Sequence, residues 1–414
     1  MVKYFRSTLM PLLMLTATYT FMVGGWLIWS VFIGLLVAFV VVDAVLPEDR
    51  SEPYVGMTFL LNLSLYIVLP LLFLMNGTLL WLTAQEGAPL GIGTFLHNQF
   101  GVDSAWLTVQ SADPLGYGAF VQKYLGLDMF AARAATNHWA MWLGGILSAG
   151  LLTAAAGTVV GHELTHRLRK PFDVFLGRWM LAFTWDVVFA TEHVYGHHVT
   201  VCTDDDPVTA KRGESIYSVV PRAIFGAYAH AWRLERGRLA RKGHSVLNPF
   251  YSPIMRGNLM SLSLFVAAYL IGGWFAVGIF AAVALWGKVL LEITNFFEHY
   301  GLVRDPSQRV EIRHSWNSNK MLSSAALFSL TRHSHHHAEP EAEFWTLKAY
   351  PDAPTLPYGY LTTILLALFP PLFERMMVPL LKDWDERFAT PEERRLAAEQ
   401  NRKSGVPALM AVAA

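Results

Sequence analysis

The chain has 414 residues, of which 53% are hydrophobic, 13% aromatic and only 15% charged, and its formal net charge is zero. An ordinary soluble domain is about 25% charged, so the deficit points to a membrane protein, while the charge balance argues against nucleic acid, which needs clustered Lys and Arg. The single cysteine, Cys202, excludes an internal disulfide, a four-cysteine zinc site and any cysteine-ligated iron–sulfur centre. Electrons, if the protein uses them, must therefore come from another protein.

Lys3 and Arg6 precede a long apolar run with no A-x-A-like cleavage site, which reads as a retained membrane anchor. The uncharged stretch 7–42 is too long for one span and divides at Gly24 and Gly25 into two, 8–24 and 26–46, arranged as a hairpin. Residues 43–53 (DAVLPEDRSEP) read as a surface loop. A third span covers 57–83, with a kink expected at Pro70 because proline removes a backbone donor. A long, glycine-rich polar and aromatic loop, 84–137, leads to the fourth span, 138–161, which delivers His162. The last apolar stretch holds two spans, 258–273 and 275–297, joined near Gly272 and Gly273.

Six spans put both termini on one side together with 163–256 and 298–414. The loop 84–137 carries only Lys123 and Arg133, whereas 163–256 is rich in basic residues from Arg167 to Arg256, so the second face is expected to be cytoplasmic. The expected fold is all-α, a single integral membrane domain over 1–414 with six transmembrane helices and a cytoplasmic helical cap. The tail 380–404 is charged, with a helix start at Thr390, Pro391 and Glu393, and reads as solvated surface.

Four histidine clusters fall in the segments assigned to that face. HELTHR holds His162 and His166, four apart, so both imidazoles stand on one helical face and can share a metal ion. EHVYGHH repeats the spacing in His193 and His197 and adds His198. NFFEHYG gives His299, and RHSHHHAEP gives His333, His336 and His337, with His335 pointing to another side of the same helix. HELTH alone also matches the zinc-protease pattern, but such a site has three protein ligands and leaves most of these histidines unexplained. Nine imidazoles suit two ions with four or five ligands each, and imidazole accepts iron, copper and zinc alike. Glu163, Glu192 and Glu298 each adjoin a box histidine and are expected to accept an imidazole N–H. Asp204, Asp205 and Asp206 could do likewise, although a charge run after a box more often reads as a solvated turn, and His97, His138, His230, His244 and His314 read as ordinary polar or interfacial residues.

In type, order and spacing these boxes resemble the membrane di-iron hydroxylases, specifically the alkane 1-monooxygenases and the related hydroxylase component of xylene monooxygenase. RGESIYS (212–218), RHSWNSN (313–319) and LPYGY (356–360) are similar to the alkane enzymes, and the tail KDWDERFATPEER to the xylene enzyme. The alkane members usually have aspartate where this chain has His335, and Asn-Arg where it has Val194 and Tyr195. The resemblance implies a histidine-rich di-iron site at the cytoplasmic face of a bacterial-type inner membrane, with His162, His166, His193, His197, His198, His299, His333, His336 and His337 as ligands. It implies no flavin or haem in the chain, O2 as co-substrate, and electrons from a rubredoxin or ferredoxin-type donor with its NAD(P)H-dependent reductase. The implied reaction is terminal hydroxylation of an alkane to a primary alcohol. Methyl hydroxylation of an alkylbenzene shares the metal site, and fatty-acyl desaturation is a more distant alternative.

An apolar substrate partitions into the bilayer and is positioned by apolar walls. Trp26, Trp29, Phe59, Trp139, Trp142 and Phe265 are the expected channel residues, although an interfacial aromatic belt is an equal reading of each. Arg167, Arg169, Lys170, Arg236, Arg238, Arg241 and Lys242 offer a docking face for an acidic electron donor, or face lipid headgroups. A metal transporter is disfavoured because 7–42 and 259–287 contain no ionisable group.

Overall fold

A computed structural model describes residues 2–53, 56–84 and 112–411; His97 and half of the loop expected at 84–137 lie outside them. Among the described residues the regular structure is all helix, apart from two isolated β-bridges, Glu48 with Lys320 and Asn317 with Thr355. Among the described residues four helices are long and apolar enough to cross a membrane: Gly25–Val45, Thr58–Trp81, Trp139–Thr165 and Pro253–Glu298. A shorter apolar helix, Leu9–Val23, precedes them. Their outer faces expose Leu12, Val37, Val41, Leu63, Leu262, Val266 and Leu270. So continuous an apolar surface belongs in lipid, where only helices satisfy every backbone group.

Local sequence explains the interruptions. The helix from Thr58 breaks at Ile67, because Pro70 has no N–H to offer the carbonyl of Tyr66. Pro253–Glu298 bends at Gly272 (φ −145°, ψ 23°) and Gly273 (φ 64°, ψ −154°). The rings of Phe265 and Phe280 lie 4.9 Å apart. Fifteen residues of straight helix would separate them by about 22 Å, so the two halves fold back on one another. A side chain at Gly272 would strike the Thr83 hydroxyl, at 1.9 Å from its Cβ.

The apolar helices are tied at both ends. At one, Gly24 packs on the backbone of Ala132, and the Trp81 indole donates to Asp113. At the other, Asp43 accepts from the backbone of Leu322 and Ser323, Arg167 reaches Asn62, and Arg178 donates to the carbonyl of Pro253. This second end gathers the segments that carry the histidine boxes.

A separate core there contains Phe296, Tyr300, Trp316, Phe373, Met377, Leu381 and Trp384. The tail 380–404 is therefore not simply solvated surface. In Pro370–Arg387 the residues Phe373, Met377, Leu381 and Trp384 recur at helical spacing and turn inward, and Glu393, Ala397 and Asn401 of Pro391–Lys403 are buried as well. The charges that dominate the composition occupy the opposite faces. Thr390 and Glu393 form the expected capping box.

Candidate metal centre

The four boxes converge. His162 ends the Trp139–Thr165 helix and His166 follows it, His299 follows Pro253–Glu298, and His333, His336 and His337 lie on the short helix His333–Ala338. His162, His166, His193, His198 and His336 form one group, each offering a ring nitrogen within 4.8 Å of all the others, and His197, His299 and His337 form a second group by the same measure. His333 joins the second through His299, with their Nε2 atoms 3.1 Å apart. In the first group, His162 Nε2 lies 2.9 Å from those of His193 and His336 and 3.2 Å from that of His166. Ligands about 2.1 Å from one ion and at right angles stand about 3.0 Å from each other, so these spacings fit coordination to a common centre.

The second box departs from the expected pairing. His193–His197 is a π-helical turn, in which residues five apart align instead of four. His193 consequently faces His198, Nε2 to Nε2 at 3.0 Å, while His197 turns to the other group.

Burial and mutual repulsion push His193, His198, His333, His336 and His337 well below the ordinary imidazole range. Burial, with the field of His197, brings His166 and His299 down to about 3. Neutral rings are the form that binds metal. Among the described residues, His197 Nε2 and both ring nitrogens of His337 are buried without a hydrogen-bond partner, and such nitrogens are the donor atoms a bound cation would use.

Behind the rings lies a layer the sequence showed only in part. Asp206, expected in a solvated turn, is buried and lies 2.9 Å from His197 Nδ1; burial would lower His197, but this carboxylate raises it. His299 Nδ1 donates to the carbonyl of His314, 3.0 Å away. His314 is no ordinary polar residue: its Nδ1 accepts from the backbone of Glu311, and its Nε2 donates to Glu393 at 2.8 Å. Of the three glutamates expected to take imidazole protons, Glu298 alone lies beside a box histidine, 3.4 Å from His333 Nε2, and it also accepts from the Tyr360 hydroxyl. Glu163 instead accepts from Arg167 and the backbone of Phe344, and Glu192 faces His230 Nδ1 at 3.0 Å. An arginine one helical turn on from Glu163 competes better for its carboxylate than a ring that faces the other way. Arg167 is thereby buried between Glu163 and Asp173 and is not free to dock a partner. His335 accepts from the backbone of Lys348, His138 caps the Trp139 helix, and His244 stacks on Tyr251.

An apolar cavity ends at His162, His193 and His333. Its walls include Leu35, Phe39, Leu151, Ala155, Leu290 and Ile364. None of the six expected channel aromatics lines it. Trp26, Phe59 and Trp139 are over 70% exposed; Trp29 donates to the carbonyl of Ala140, and Trp142 and Phe265 pack on Phe275 and Phe280. Wide amphipathic rings settle at the lipid boundary, and the cavity opens where small residues, Ala154 and Ala155, sit on the π-helical turn Thr153–Thr158.

Residues 137–366 match the family described as Fatty acid desaturase. Alkane 1-monooxygenase 1 of Pseudomonas aeruginosa is 38% identical over 270 residues, 64% of this chain and 69% of that protein. Alkane 1-monooxygenase 2 of the same organism is 39% identical over 254 residues, covering 59% and 66%. The xylene/toluene monooxygenase hydroxylase component XylM of Pseudomonas putida is 29% identical over 403 residues, 97% of this chain and 95% of that protein.

Proposed function

The chain belongs to the alkane 1-monooxygenase family of O2-using membrane oxidoreductases, and we propose from that premise that it converts an alkane and O2, with two electrons and two protons, to a primary alcohol and water. The observation that carries this reading is the meeting of the apolar cavity with both imidazole groups, at His162 and His193 of one and His333 of the other. Two iron ions, one held by His162, His166, His193, His198 and His336 and the other by His197, His299, His333 and His337, would supply the activation of O2. The protein's own contribution is binding, orientation and dryness. A chain that offers no polar handle is held by close contact with the apolar walls. Burial keeps His193, His198, His336 and His337 neutral, and Asp206 and the His314 carbonyl fix the orientation of His197 and His299.

In this reading the chain crosses a bacterial inner membrane six times. The crossings are Leu9–Val23, Gly25–Val45, Thr58–Trp81, Trp139–Thr165 and the two halves of Pro253–Glu298, with the histidine end cytoplasmic. A rubredoxin or ferredoxin-type donor, reduced through an NAD(P)H-dependent reductase, supplies the electrons there. Methyl hydroxylation of an alkylbenzene is the second reading, favoured by a likeness to XylM that runs over 97% of the chain. Product analysis separates the two. Purified iron-loaded protein with a donor pair is given octane, hexadecane and xylene; 1-octanol or 1-hexadecanol supports the first reading, methylbenzyl alcohol alone the second, and no oxygenated product from any of them defeats both.

A further inference from the structure

Among the described residues three that carry a hydroxyl line the apolar cavity, Thr158, Thr294 and Tyr360. Thr294 donates to the carbonyl of Leu290 at 2.9 Å, and Tyr360 to Glu298 at 2.7 Å. Thr158 Oγ1 is buried and has no hydrogen-bond partner among the described residues, on a residue only 2% exposed. A threonine within a helix ordinarily returns its hydroxyl to a carbonyl one turn back, as Thr294 does. Thr158 instead closes the π-helical turn Thr153–Thr158, a departure from α geometry of the kind found frequently at functional sites. His162 follows it by four residues on the same helix, so the hydroxyl stands on the cavity wall one turn from the imidazole cluster.

A buried hydroxyl without a partner is costly, and a hydrocarbon in the cavity cannot relieve it. A hydrocarbon that has gained an oxygen can. We infer that Thr158 is the docking point for the hydroxyl of a primary or benzylic alcohol, so that the cavity distinguishes the oxygenated chain from its hydrocarbon precursor. This rests on the oxygenase reading of the cavity and deepens it by naming a product contact. One neutral hydrogen bond corresponds to about fivefold in affinity.

The test measures equilibrium binding of 1-octanol and of octane to the full chain in lipid nanodiscs, with and without iron, for the wild type, Thr158→Val and Thr158→Ser. Valine keeps the shape and removes the hydroxyl; serine keeps the hydroxyl. The expected result is octanol binding about fivefold weaker in Thr158→Val, octane binding unchanged within twofold, and octanol binding restored in Thr158→Ser. Unchanged octanol binding in Thr158→Val overturns the inference. A parallel loss of octanol and octane overturns it too, because that marks a packing role, as does a serine variant no better than valine. Thr158→Ala repeats the comparison should the valine variant not fold. Octane turnover in the same preparations keeps the two readings apart. Octanol produced with equal affinities in all variants defeats the docking point alone. A hydroxyl-dependent affinity with no turnover of any hydrocarbon defeats the oxygenase reading alone.

Discussion

His197 Nδ1 lies 2.9 Å from Asp206 Oδ2, and the same oxygen receives the Thr209 hydroxyl at 2.5 Å. The carboxylate therefore fixes both the tautomer and the plane of a ring whose Nε2 is left free for a cation. Losing such a partner typically weakens metal binding about 10–100-fold. Asp206→Asn is expected to lose iron at correspondingly lower chelator concentration. Asp204→Asn should behave as wild type, because Asp204 is exposed and pairs with Lys211 at the surface. Metal content after dialysis against graded chelator checks both.

Glu393 braces the second imidazole group through His314. Burial alone would raise its carboxyl, but the bonds from His314, Thr390 and Arg313 bring it down to about 2, from an ordinary 4.5. A folded-state value below the unfolded one stabilises fully above about pH 4.5 and is lost as the pH falls from there toward 2. Glu393→Gln should lower the melting temperature at pH 7, and the gap to wild type should narrow as the pH is taken down through that window. Thermal denaturation at a series of pH values measures it.

Neighbouring histidines on one short helix should behave oppositely. His336 Nε2 lies 2.9 Å from that of His162, whereas His335 Nδ1 accepts the backbone N–H of Lys348 at 2.7 Å. His336→Ala is expected to lower iron per chain and remove the stabilisation that iron gives, about 2.7 kcal/mol at a hundredfold excess over Kd. His335→Ala should keep its iron and lose on the order of 1 kcal/mol for the broken hydrogen bond. Elemental analysis and melting with and without chelator tell them apart.

Cavity length should set the accepted chain. Ala155 lines the apolar space, and a phenyl ring there would occupy part of it. Ala155→Phe is expected to shift the products of a mixed alkane feed toward shorter alcohols, at a packing cost of about 1–3 kcal/mol. Trp26→Ala, at an exposed residue outside the cavity, should leave the product profile unchanged. Gas chromatography of the alcohols reads the shift.

The nine imidazoles were legible because helical spacing repeats locally in HELTH and HSHHH, and composition alone marked the apolar helices. The partition of those rings was not legible, since a run such as HVYGHH does not announce that it will widen into a π-turn and part His193 from His197. Buried carboxylates were the other blind spot. Asp206 sits in a run of three aspartates and Glu393 in a highly charged tail, and only tertiary packing distinguishes the one that turns inward. His314 lay within RHSWNSN, a stretch already marked by resemblance, and that was the one available signal for it. Aromatic residues misled for a physical reason: the same amphipathic ring that suits a channel wall suits the lipid boundary better.

The dependence of His299 on the carbonyl of His314, and of His314 on Glu393, has a bearing on the order of assembly. The apolar helices can enter the bilayer as they are synthesised, but one wall of the metal site waits for residue 393. A ribosome stalled just before it would display the apolar helices and all four histidine boxes with His314 unbraced, so the second imidazole group is expected to reach its final form only after residue 393 has been made.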